Sequence, residues 1–271
     1  MVTKAKITGI GSYLPQRIIS NDELSKTMDT SDEWIVQRSG IQMRHQAAEG
    51  EFTSDLGVQA AQKALQHAGL TIEQIDLIVV ATTTPDLTFP ATAALIQKKL
   101  GMTHGAAFDV QAVCSGFVYG LSVTSAMIEC GQAKNALLIG AETMTRLLNW
   151  QDRTTAVLFG DGAGAIVMSQ CEITGPDQSH VLGSYLRSDG ALSDILYVDG
   201  GPSTTGTTGH LIMEGREVYR HAVGNISDAI ESLLASSGYQ VADIDWFVPH
   251  QANRRIIEGV AKKIGLPPEK T

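Results

Sequence analysis

Apolar positions along the chain follow two spacings, which together predict alternating strands and helices. Over Ser54–Ala68 they recur three and four residues apart, which indicates a helix with one buried face that ends at Gly69. Short continuous apolar runs are typical of buried strands. The pattern predicts strands at Lys6–Ile10, Asp76–Thr82, Ala107–Val113, Ala136–Ala141 and Asp245–Val248, and further helices at Ala91–Leu100, Ser115–Glu129 and Asn225–Ala235. This order predicts a layered α/β fold.

Two stretches of the chain share an ordered series of features and indicate an internal duplication. Residues 64–101 and 233–265 each contain a helix end, a glycine, an Ile-Asp pair, an apolar strand, a loop, a helix and a Lys-Lys-Leu/Ile-Gly ending. Gly69 and Gly238 lie 169 residues apart (238 − 69), and the Ile-Asp pairs repeat at the same offset. Such an ordered series predicts two related halves.

The duplication predicts βαβα halves at residues 1–170 and 171–271, packed as a pseudo-dimer. After Gly101 the first half continues with further strands and a helix, whereas six residues follow Gly265 (271 − 265). By internal symmetry we expect the second half to be incomplete here, because a sheet without its central strands leaves backbone groups unpaired. The alternative is that the halves diverged and the second is naturally short.

Composition narrows the class of protein. Of 271 residues, 43% are hydrophobic and 18% are charged, below the usual ~25%, which favours a tightly packed oligomer. A net charge of −9 disfavours nucleic-acid binding, which needs a basic surface. The chain shows no signal peptide and no apolar run near the ~20 residues of a membrane helix. Three cysteines exclude a disulfide scaffold, so we expect a soluble cytoplasmic protein.

Cys114 is the first candidate for chemistry. It lies between a predicted strand and a predicted helix, where unsatisfied backbone N–H groups favour the reactive thiolate, and Gly116 leaves room for a substrate. A buried inert cysteine is the competing interpretation, at about even odds. Cys130 and Cys171 lack this setting and are predicted to be core residues.

His250 is the second candidate. Pro249 ends a predicted strand, so His250 emerges at the strand's C-terminal end, where α/β folds bind ligands. Alone it is more simply interpreted as a loop histidine, but Gln251, Asn253 and Arg254 beside it favour a site. A cysteine and a histidine together can supply a nucleophile and an acid, base or hydrogen-bond donor.

Other motifs argue against alternative chemistry. The glycines of Phe159–Ala165 alternate and do not form the Gly-x-Gly-x-x-Gly of a dinucleotide site. The histidines share no ligand spacing, so no metal site is predicted. The Gly-, Ser- and Thr-rich stretch Gly200–Gly209 is predicted to be a mobile loop.

Four motifs run in order along the chain: SDEWIVQRSGI at 31–41, AVCSGF at 112–117, DRTTAVLFGDGAGA at 152–165 and VPHQANRRI at 248–256. Together they resemble signatures of the β-ketoacyl-acyl-carrier-protein synthase III family. That resemblance implies a thiolase-like fold, an α-β-α-β-α sandwich of two duplicated halves. It also implies an acyltransferase that condenses acyl-CoA, expected to be acetyl-CoA, with malonyl-acyl carrier protein to start fatty-acid biosynthesis.

The resemblance implies roles for individual residues and no cofactor besides the thioester substrates. Cys114 is the implied nucleophile, and His250 hydrogen-bonds the malonyl thioester. For CoA it implies Trp34 and Arg153 on the two faces of the adenine, Arg38 at the phosphates, and a pantetheine channel of Met213, Gly215, Tyr219, Ala252 and Asn253. Gln251 and Arg255 would contact the acyl carrier protein, and Phe89 would reach into the acyl pocket of the partner in a homodimer.

The sequence departs from the family pattern at its C-terminal end. The family's third catalytic residue, an Asn in a His-Gly-Asn-Thr-Ser motif, and a following Gly-rich loop are not found in the 271 residues. The expectation is therefore that the sequence is C-terminally incomplete and condenses poorly. Two alternatives stay open, namely a related polyketide- or quinolone-type synthase with another acceptor, and a non-catalytic thioester-binding remnant.

Overall fold

Strands and helices alternate along the chain as its hydrophobic pattern predicts. A computed structural model describes residues 2–175 and 178–271. The strands are β1 (Val2–Tyr13), β2 (Arg17–Ser20), β3 (Met43–Gln46), β4 (Leu77–Ala81), β5 (Ala106–Val110), β6 (Asn135–Thr143), β7 (Asp161–Ile173), β8 (Leu196–Val198) and β9 (Leu211–Met213). The helices are α1 (Asn21–Leu24), α2 (Asp32–Ser39), α3 (Thr53–Ala68), α4 (Thr92–Leu100), α5 (Gly116–Glu129), α6 (Arg153–Ala156), α7 (Gly215–Ser237) and α8 (Arg254–Ile264).

The chain divides into two compact units, each assembled from three segments. The first unit comprises Met1–Arg17, His45–Thr143 and Asp161–Leu182. The second comprises Ile18–Arg44, Met144–Gly160 and Gly183–Thr271. The halves predicted from the duplication, 1–170 and 171–271, are a different division, and residue 170 lies inside β7. That division stays a prediction.

A five-stranded mixed sheet in the order β1-β7-β6-β4-β5 forms the centre of the first unit. β4 runs parallel to β5 and β6, whereas β7 runs antiparallel to β6 and β1. Ile78 and Val80 of β4 pack in one apolar cluster with residues of α3 and α4. Leu77 and Val79 pack in another cluster, with residues of α5. Side chains alternate along a strand, so the sheet has helices on both faces.

Two glycines of β1 let α3 lie close against the sheet. A Cβ on Gly9 would lie 2.3 Å from the carbonyl oxygen of Ala64, and one on Gly11 would lie 2.3 Å from that of Ala60. Both contacts are with helix backbone, which cannot rotate away as a side chain can. Gly9 and Gly11 are therefore required by close packing between strand and helix.

We expect Gly11→Ala to destabilise the protein by about 2–3 kcal/mol, because the new methyl group must push α3 from β1. Gly164→Ala is the matched control, since a Cβ on this glycine of the neighbouring strand β7 has no atom within 4 Å. We expect that control to stay within about 0.5 kcal/mol of the wild type. Urea-induced unfolding followed by circular dichroism measures both, and equal midpoints for the two variants would contradict the packing argument.

A buried arginine connects two of the three segments of the second unit. The Arg44 guanidinium donates to the backbone oxygens of Ile19 and Val157 at 3.1 and 2.9 Å and to Oδ1 of Asn21 at 2.8 Å. The Asn21 amide in turn donates to Asp32 in α2 at 2.8 Å. Desolvation at this position lowers the pKa of Arg44. These hydrogen bonds hold α1 in place directly and α2 through Asn21, at a buried position where hydrophobic contacts are more usual.

The predicted duplication is visible as repeated local conformation. Gly69 and Gly238 end α3 and α7 in the left-handed region, with φ of 67° and 75°. In both places the next residue closes the helix, through Leu70 N to Leu65 O and Tyr239 N to Leu234 O, each at 3.1 Å. The 3₁₀ turns Ile72–Gln74 and Val241–Asp243 then follow. Gly101 and Gly265 likewise end α4 and α8 with φ of 77° and 74°.

Two predictions made from local pattern are wrong. Asp245–Val248 is not a strand, because it pairs with no strand in the described residues and makes one backbone hydrogen bond, from Phe247 to Lys270 at 2.7 Å. α7 begins at Gly215, ten residues before the predicted start at Asn225 (225 − 215). Gly200–Gly209 is the loop of the antiparallel β8–β9 hairpin, with a bridge between Gly201 and Thr207, and its mobility stays a prediction. No described helix has the length and apolar content needed to cross a membrane.

Candidate active site

Cys114 lies in a tight turn between a strand and a helix of the first unit. β5 ends at Val110, the 3₁₀ turn Val113–Ser115 carries the cysteine, and α5 begins at Gly116. A Cβ on Gly116 would lie 3.2 Å from the Cβ of Ala81, so a small residue lets the start of α5 approach the end of β4. The Cys114 side chain is exposed. The predicted position at the start of a helix is confirmed.

The residue before the nucleophile candidate has an unusual backbone conformation. Val113 has a φ of +47°, and no other described residue except glycine has a positive φ. A β-branched residue in this region costs about 1–3 kcal/mol. Strain of this kind is found at functional sites, where the surrounding structure holds a side chain in one direction.

The predicted ionisation of Cys114 is wrong. Desolvation by the surrounding protein, and then the negative charge of Glu142, raise the pKa of the thiol, and hydrogen bonding to its own backbone amide lowers the pKa less. One side of the thiol thus contacts solvent, while the protein on its other sides disfavours the charged thiolate. The helix N-terminus alone predicts the opposite direction, because it leaves out desolvation, which is the larger cause, and the Glu142 carboxylate.

Glu142, which sequence reasoning missed, lies at the end of β6. Its carboxylate accepts hydrogen bonds from the backbone amide of Thr83 at 2.8 Å and from the hydroxyls of Thr82 and Thr84 at 3.3 and 2.5 Å. Burial raises its pKa, and these hydrogen bonds oppose the rise. A signal in the sequence was available, since a glutamate directly after the apolar run Ala136–Ala141 lies at the same strand edge as a cysteine that follows β5.

In the second unit, an indole and two guanidinium groups lie together. Trp34 is in α2, whose N-terminus is capped by the Ser31 side chain accepting from Trp34 N at 3.1 Å. The guanidinium carbon of Arg38 lies 4.4 Å from the centroid of the Trp34 ring, and that of Arg153 lies 5.2 Å away. Arg153 also pairs with Asp29 at 3.0 Å. Both guanidinium groups thus lie against the Trp34 ring, and the binding of an adenine between Trp34 and Arg153 stays a prediction.

His250 follows Pro249 in an extended segment that leads to α8. The residue is exposed, yet desolvation on its protein-facing side lowers the pKa of the imidazole below its usual value. The imidazole is consequently neutral at pH 7 and can donate one hydrogen bond and accept another. Asn253 ends the segment as the N-cap of α8, with Oδ1 accepting from Ile256 N at 2.9 Å.

The remaining predicted contacts of the second unit lie around α7 and α8. Met213 ends β9, and Gly215 begins α7. Tyr219 packs its hydroxyl against α8, where a Cβ on Gly259 would lie 3.1 Å from it. The segment before α8 carries Gln251, which is exposed, and Ala252, which is half-buried. Arg255 donates to the carbonyl of Gln37 at 3.0 Å, at the end of α2.

Cys130, Cys171 and Phe89 are not buried in the core. Cys130 is exposed at the C-terminal end of α5, and Cys171 is half-buried in β7, so the prediction that both are core residues is wrong. Both lie on elements whose outer faces meet solvent, which the local pattern could not reveal. Phe89 is 83% exposed. Among the described residues, no group of three His, Cys, Asp or Glu side chains is placed to hold a metal.

Comparisons with known proteins agree with the motifs. A family model for 3-oxoacyl-[acyl-carrier-protein] synthase III matches residues 108–190, and the model of its C-terminal part matches residues 234–271. The β-ketoacyl-[acyl-carrier-protein] synthase III of Rhizobium meliloti (strain 1021) is 60% identical over 268 residues, which cover 98% of this chain and 83% of the relative. That of Paramagnetospirillum magneticum is 58% identical and covers 100% of this chain and 84% of the relative.

Solved structures have the same fold. The 3-oxoacyl-[acyl-carrier-protein] synthase III of Aquifex aeolicus VF5 superposes with a TM-score of 0.91 at 41% identity, over 98% of this chain and 82% of that one. The priming β-ketosynthase of the R1128 polyketide pathway superposes with a TM-score of 0.90 at 34% identity, over 98% and 80%. The predicted thiolase-like α/β fold is confirmed.

Proposed function

Because the chain belongs to the β-ketoacyl-acyl-carrier-protein synthase III family, we propose that Cys114 and His250 carry out the condensation that this family performs. The protein is a condensing acyltransferase that initiates fatty-acid biosynthesis. The observation that carries the assignment of Cys114 is its exposed position on a strained turn, two residues before the start of α5 at Gly116. The substrates are an acyl-CoA, with acetyl-CoA expected, and malonyl-acyl carrier protein.

The first step is acyl transfer to sulfur. The Cys114 thiol attacks the thioester carbonyl, the carbon–sulfur bond to CoA breaks, and the thiol proton leaves with CoA as its free thiol. The backbone amide of Cys114 is placed to stabilise negative charge on the carbonyl oxygen, as it does for the thiolate. A covalent intermediate divides a difficult condensation into two easier reactions.

The second step forms the carbon–carbon bond. Malonyl-acyl carrier protein loses carbon dioxide, and the resulting enolate attacks the acyl group on Cys114. The sulfur leaves and takes a proton, which restores the thiol. A neutral His250 donates a hydrogen bond to the thioester oxygen where the enolate charge develops, and its lowered pKa supports that protonation state. No cofactor beyond the thioester substrates is needed.

The cluster of Trp34, Arg38 and Arg153 is the proposed site for the nucleotide part of CoA. A flat indole and a planar guanidinium both stack on a base, and guanidinium groups also bind phosphate. Arg38 is proposed at the phosphates, since it lies on the same helix one turn beyond Trp34. The pantetheine channel is proposed to be lined by Met213, Gly215, Tyr219, Ala252 and Asn253.

Replacing Trp34 by alanine should raise the KM for acetyl-CoA about 10-fold and lower kcat little, because stacking on a base contributes about 1–3 kcal/mol to binding. Steady-state kinetics at saturating malonyl-acyl carrier protein measure the effect, and circular dichroism checks folding, since Trp34 also packs in an apolar cluster. Trp246→Ala is the control, as this tryptophan is exposed. An unchanged KM in Trp34→Ala would place the adenine elsewhere.

A homodimer is proposed because the first unit has an exposed edge and an exposed aromatic ring. β5 is an edge strand, and within the described residues it pairs with β4 alone. Phe89 and Leu87 are exposed in the loop before α4, which suits contact with a second copy and a contribution to its acyl pocket.

Gln251 and Arg255 are proposed to contact the acidic carrier protein. Free thiols fit a cytoplasmic location.

The assay that tests this function supplies labelled acetyl-CoA and compares two acceptors. Condensation by these 271 residues is expected to be slow, so the measured quantity is the ratio of products. We expect labelled acetoacetyl-acyl carrier protein from malonyl-acyl carrier protein in clear excess over the product from malonyl-CoA. A preference for malonyl-CoA would support the polyketide- or quinolone-type alternative, which the lower identity to the priming β-ketosynthase disfavours. Absence of label on the protein would indicate a non-catalytic remnant.

A further inference from the structure

The carboxylate of Glu142 is held by neutral donors at the edge of the sheet that carries the nucleophile. Oε1 accepts from Thr83 N, and Oε2 accepts from the hydroxyls of Thr82 and Thr84. No ion pair within residues 2–175 and 178–271 includes Glu142. A half-buried acid with no cation beside it is costly, so stability alone does not account for a carboxylate at this position.

The directions of the hydrogen bonds show which form of Glu142 the network fits. The Thr84 hydroxyl accepts from the backbone N–H of Thr143 at 2.8 Å, and the Thr82 hydroxyl accepts from that of Thr84 at 3.1 Å. A backbone N–H can only donate, so the proton of each hydroxyl is left for another acceptor. For Thr84 these acceptors are the Glu142 carboxylate at 2.5 Å and the Thr53 hydroxyl at 3.3 Å, and the nearer, charged carboxylate is the stronger one. Three protons therefore point at one carboxylate, which favours its ionised form.

The same network is linked to the segment that precedes Cys114. Gln111 donates from Nε2 to the Thr83 hydroxyl at 3.1 Å, three residues before the cysteine. Ala81, directly before Thr82, faces Gly116 at the start of α5. The Thr82–Thr84 turn is consequently fixed between β4, β6 and the loop that carries the nucleophile.

We propose that Glu142 is a positioning residue for Cys114: its carboxylate holds the Thr82–Thr84 turn against the loop that carries the nucleophile, and it places a negative charge at the strand edge that this loop follows. The proposal rests on the assignment of Cys114 as nucleophile made above. The resting thiol and the acyl-thioester are both uncharged, so the repulsion from Glu142 acts on the thiolate alone. The charge therefore keeps the thiolate fraction of the idle enzyme small, and the thiolate is the form that alkylating agents and oxidants attack.

Other ionisable groups on the elements around Cys114 are few. Asp109 of β5 accepts from the backbone amides of Thr92 and Ala93, each at 2.7 Å, and so serves the start of α4. Tyr119 lies on α5. Of these groups, the charge of Glu142 is the one that raises the pKa of Cys114.

The experiment measures the rate of alkylation of each cysteine by iodoacetamide as a function of pH, with peptides resolved by mass spectrometry. In Glu142→Gln we expect the midpoint for Cys114 to fall by at least about 0.5 pH unit, because one source of repulsion is removed. Glu142→Asp should restore most of the wild-type midpoint. The exposed Cys130 is an internal reference that should not move, and Glu73→Gln removes a remote exposed carboxylate as the matched control.

An unchanged or raised Cys114 midpoint in Glu142→Gln would overturn the proposal. The wild type gives a second measurement should that variant fail to fold, since Cys114 must then titrate above about 8.5, the usual pKa of a free cysteine. Titration of Cys114 at or below that pH would also overturn it. Alkylation needs no acyl-CoA, so this outcome is independent of whether the protein catalyses condensation.

Discussion

Cys114→Ala should retain no acetyl group after incubation with labelled acetyl-CoA, and condensation should fall by at least about 10³-fold. The variant lacks the sulfur that forms the covalent intermediate, while the turn and α5 stay in place because alanine is smaller than cysteine. Radiolabel on the precipitated protein measures the first step. Release of carbon dioxide with transfer to acyl carrier protein measures both steps.

Cys130→Ala is the matched control for this experiment, since Cys130 is also an exposed cysteine, at the C-terminal end of α5. We expect it to accept label at the wild-type rate. The assignment of the nucleophile would be wrong if Cys114→Ala kept the label, or if Cys130→Ala lost it.

His250→Ala should separate the two steps of the reaction. Loss of the hydrogen-bond donor to the enolate should lower the condensation rate by about 10²–10³-fold, whereas acetyl labelling of Cys114 should change only a few-fold. The lowered pKa of His250 adds a pH prediction. A depressed pKa keeps the imidazole neutral to lower pH, so condensation should hold its rate as the pH falls from 7 to about 6.5, the usual pKa of histidine.

The control for the histidine is His210→Ala, which removes an exposed imidazole of the same unit. Single-turnover labelling and steady-state condensation are both measured on each variant. A parallel loss of labelling and condensation in His250→Ala would mean that His250 serves acyl transfer, and a rate that falls steeply below pH 7 would contradict a neutral imidazole.

Much of the fold could be predicted because the ends of its helices are determined by residues nearby in the sequence. Glycines at 69, 101, 238 and 265 end helices where sequence alone places them, since a left-handed residue terminates a helix with little strain only when it is glycine. The repeat at an offset of 169 residues predicts a duplicated fold from the order of its features alone. Helices α3 and α4 and strand β4 lie within one residue of their predicted limits.

The errors lie where structure depends on distant partners. Asp245–Val248 has the apolar content of a strand, but a strand exists only as part of a ladder. The start of α7 was missed because Gly215–Gly224 mixes charged, aromatic and glycine residues without a clear period, and packing against α8 stabilises it.

The candidate site shows the same division between local and distant effects. The turn at Cys114 followed from a motif, whereas the direction of the thiol pKa shift depended on desolvation by the surrounding protein and then on Glu142, 28 residues later (142 − 114). The contact of Arg38 with Trp34 is one helical turn away and could have been inferred from spacing. Burial and charge from other strands have no local signature.

The conformation of Val113 sets a limit on stabilising this enzyme. Glycine at 113 would remove the penalty of a positive φ, and a search for heat-resistant variants would therefore favour it. The same change would release the backbone that aims the sulfur of the next residue. At this position a gain in thermal stability would therefore cost activity. Variants with both properties must gain their stability at other positions in the chain.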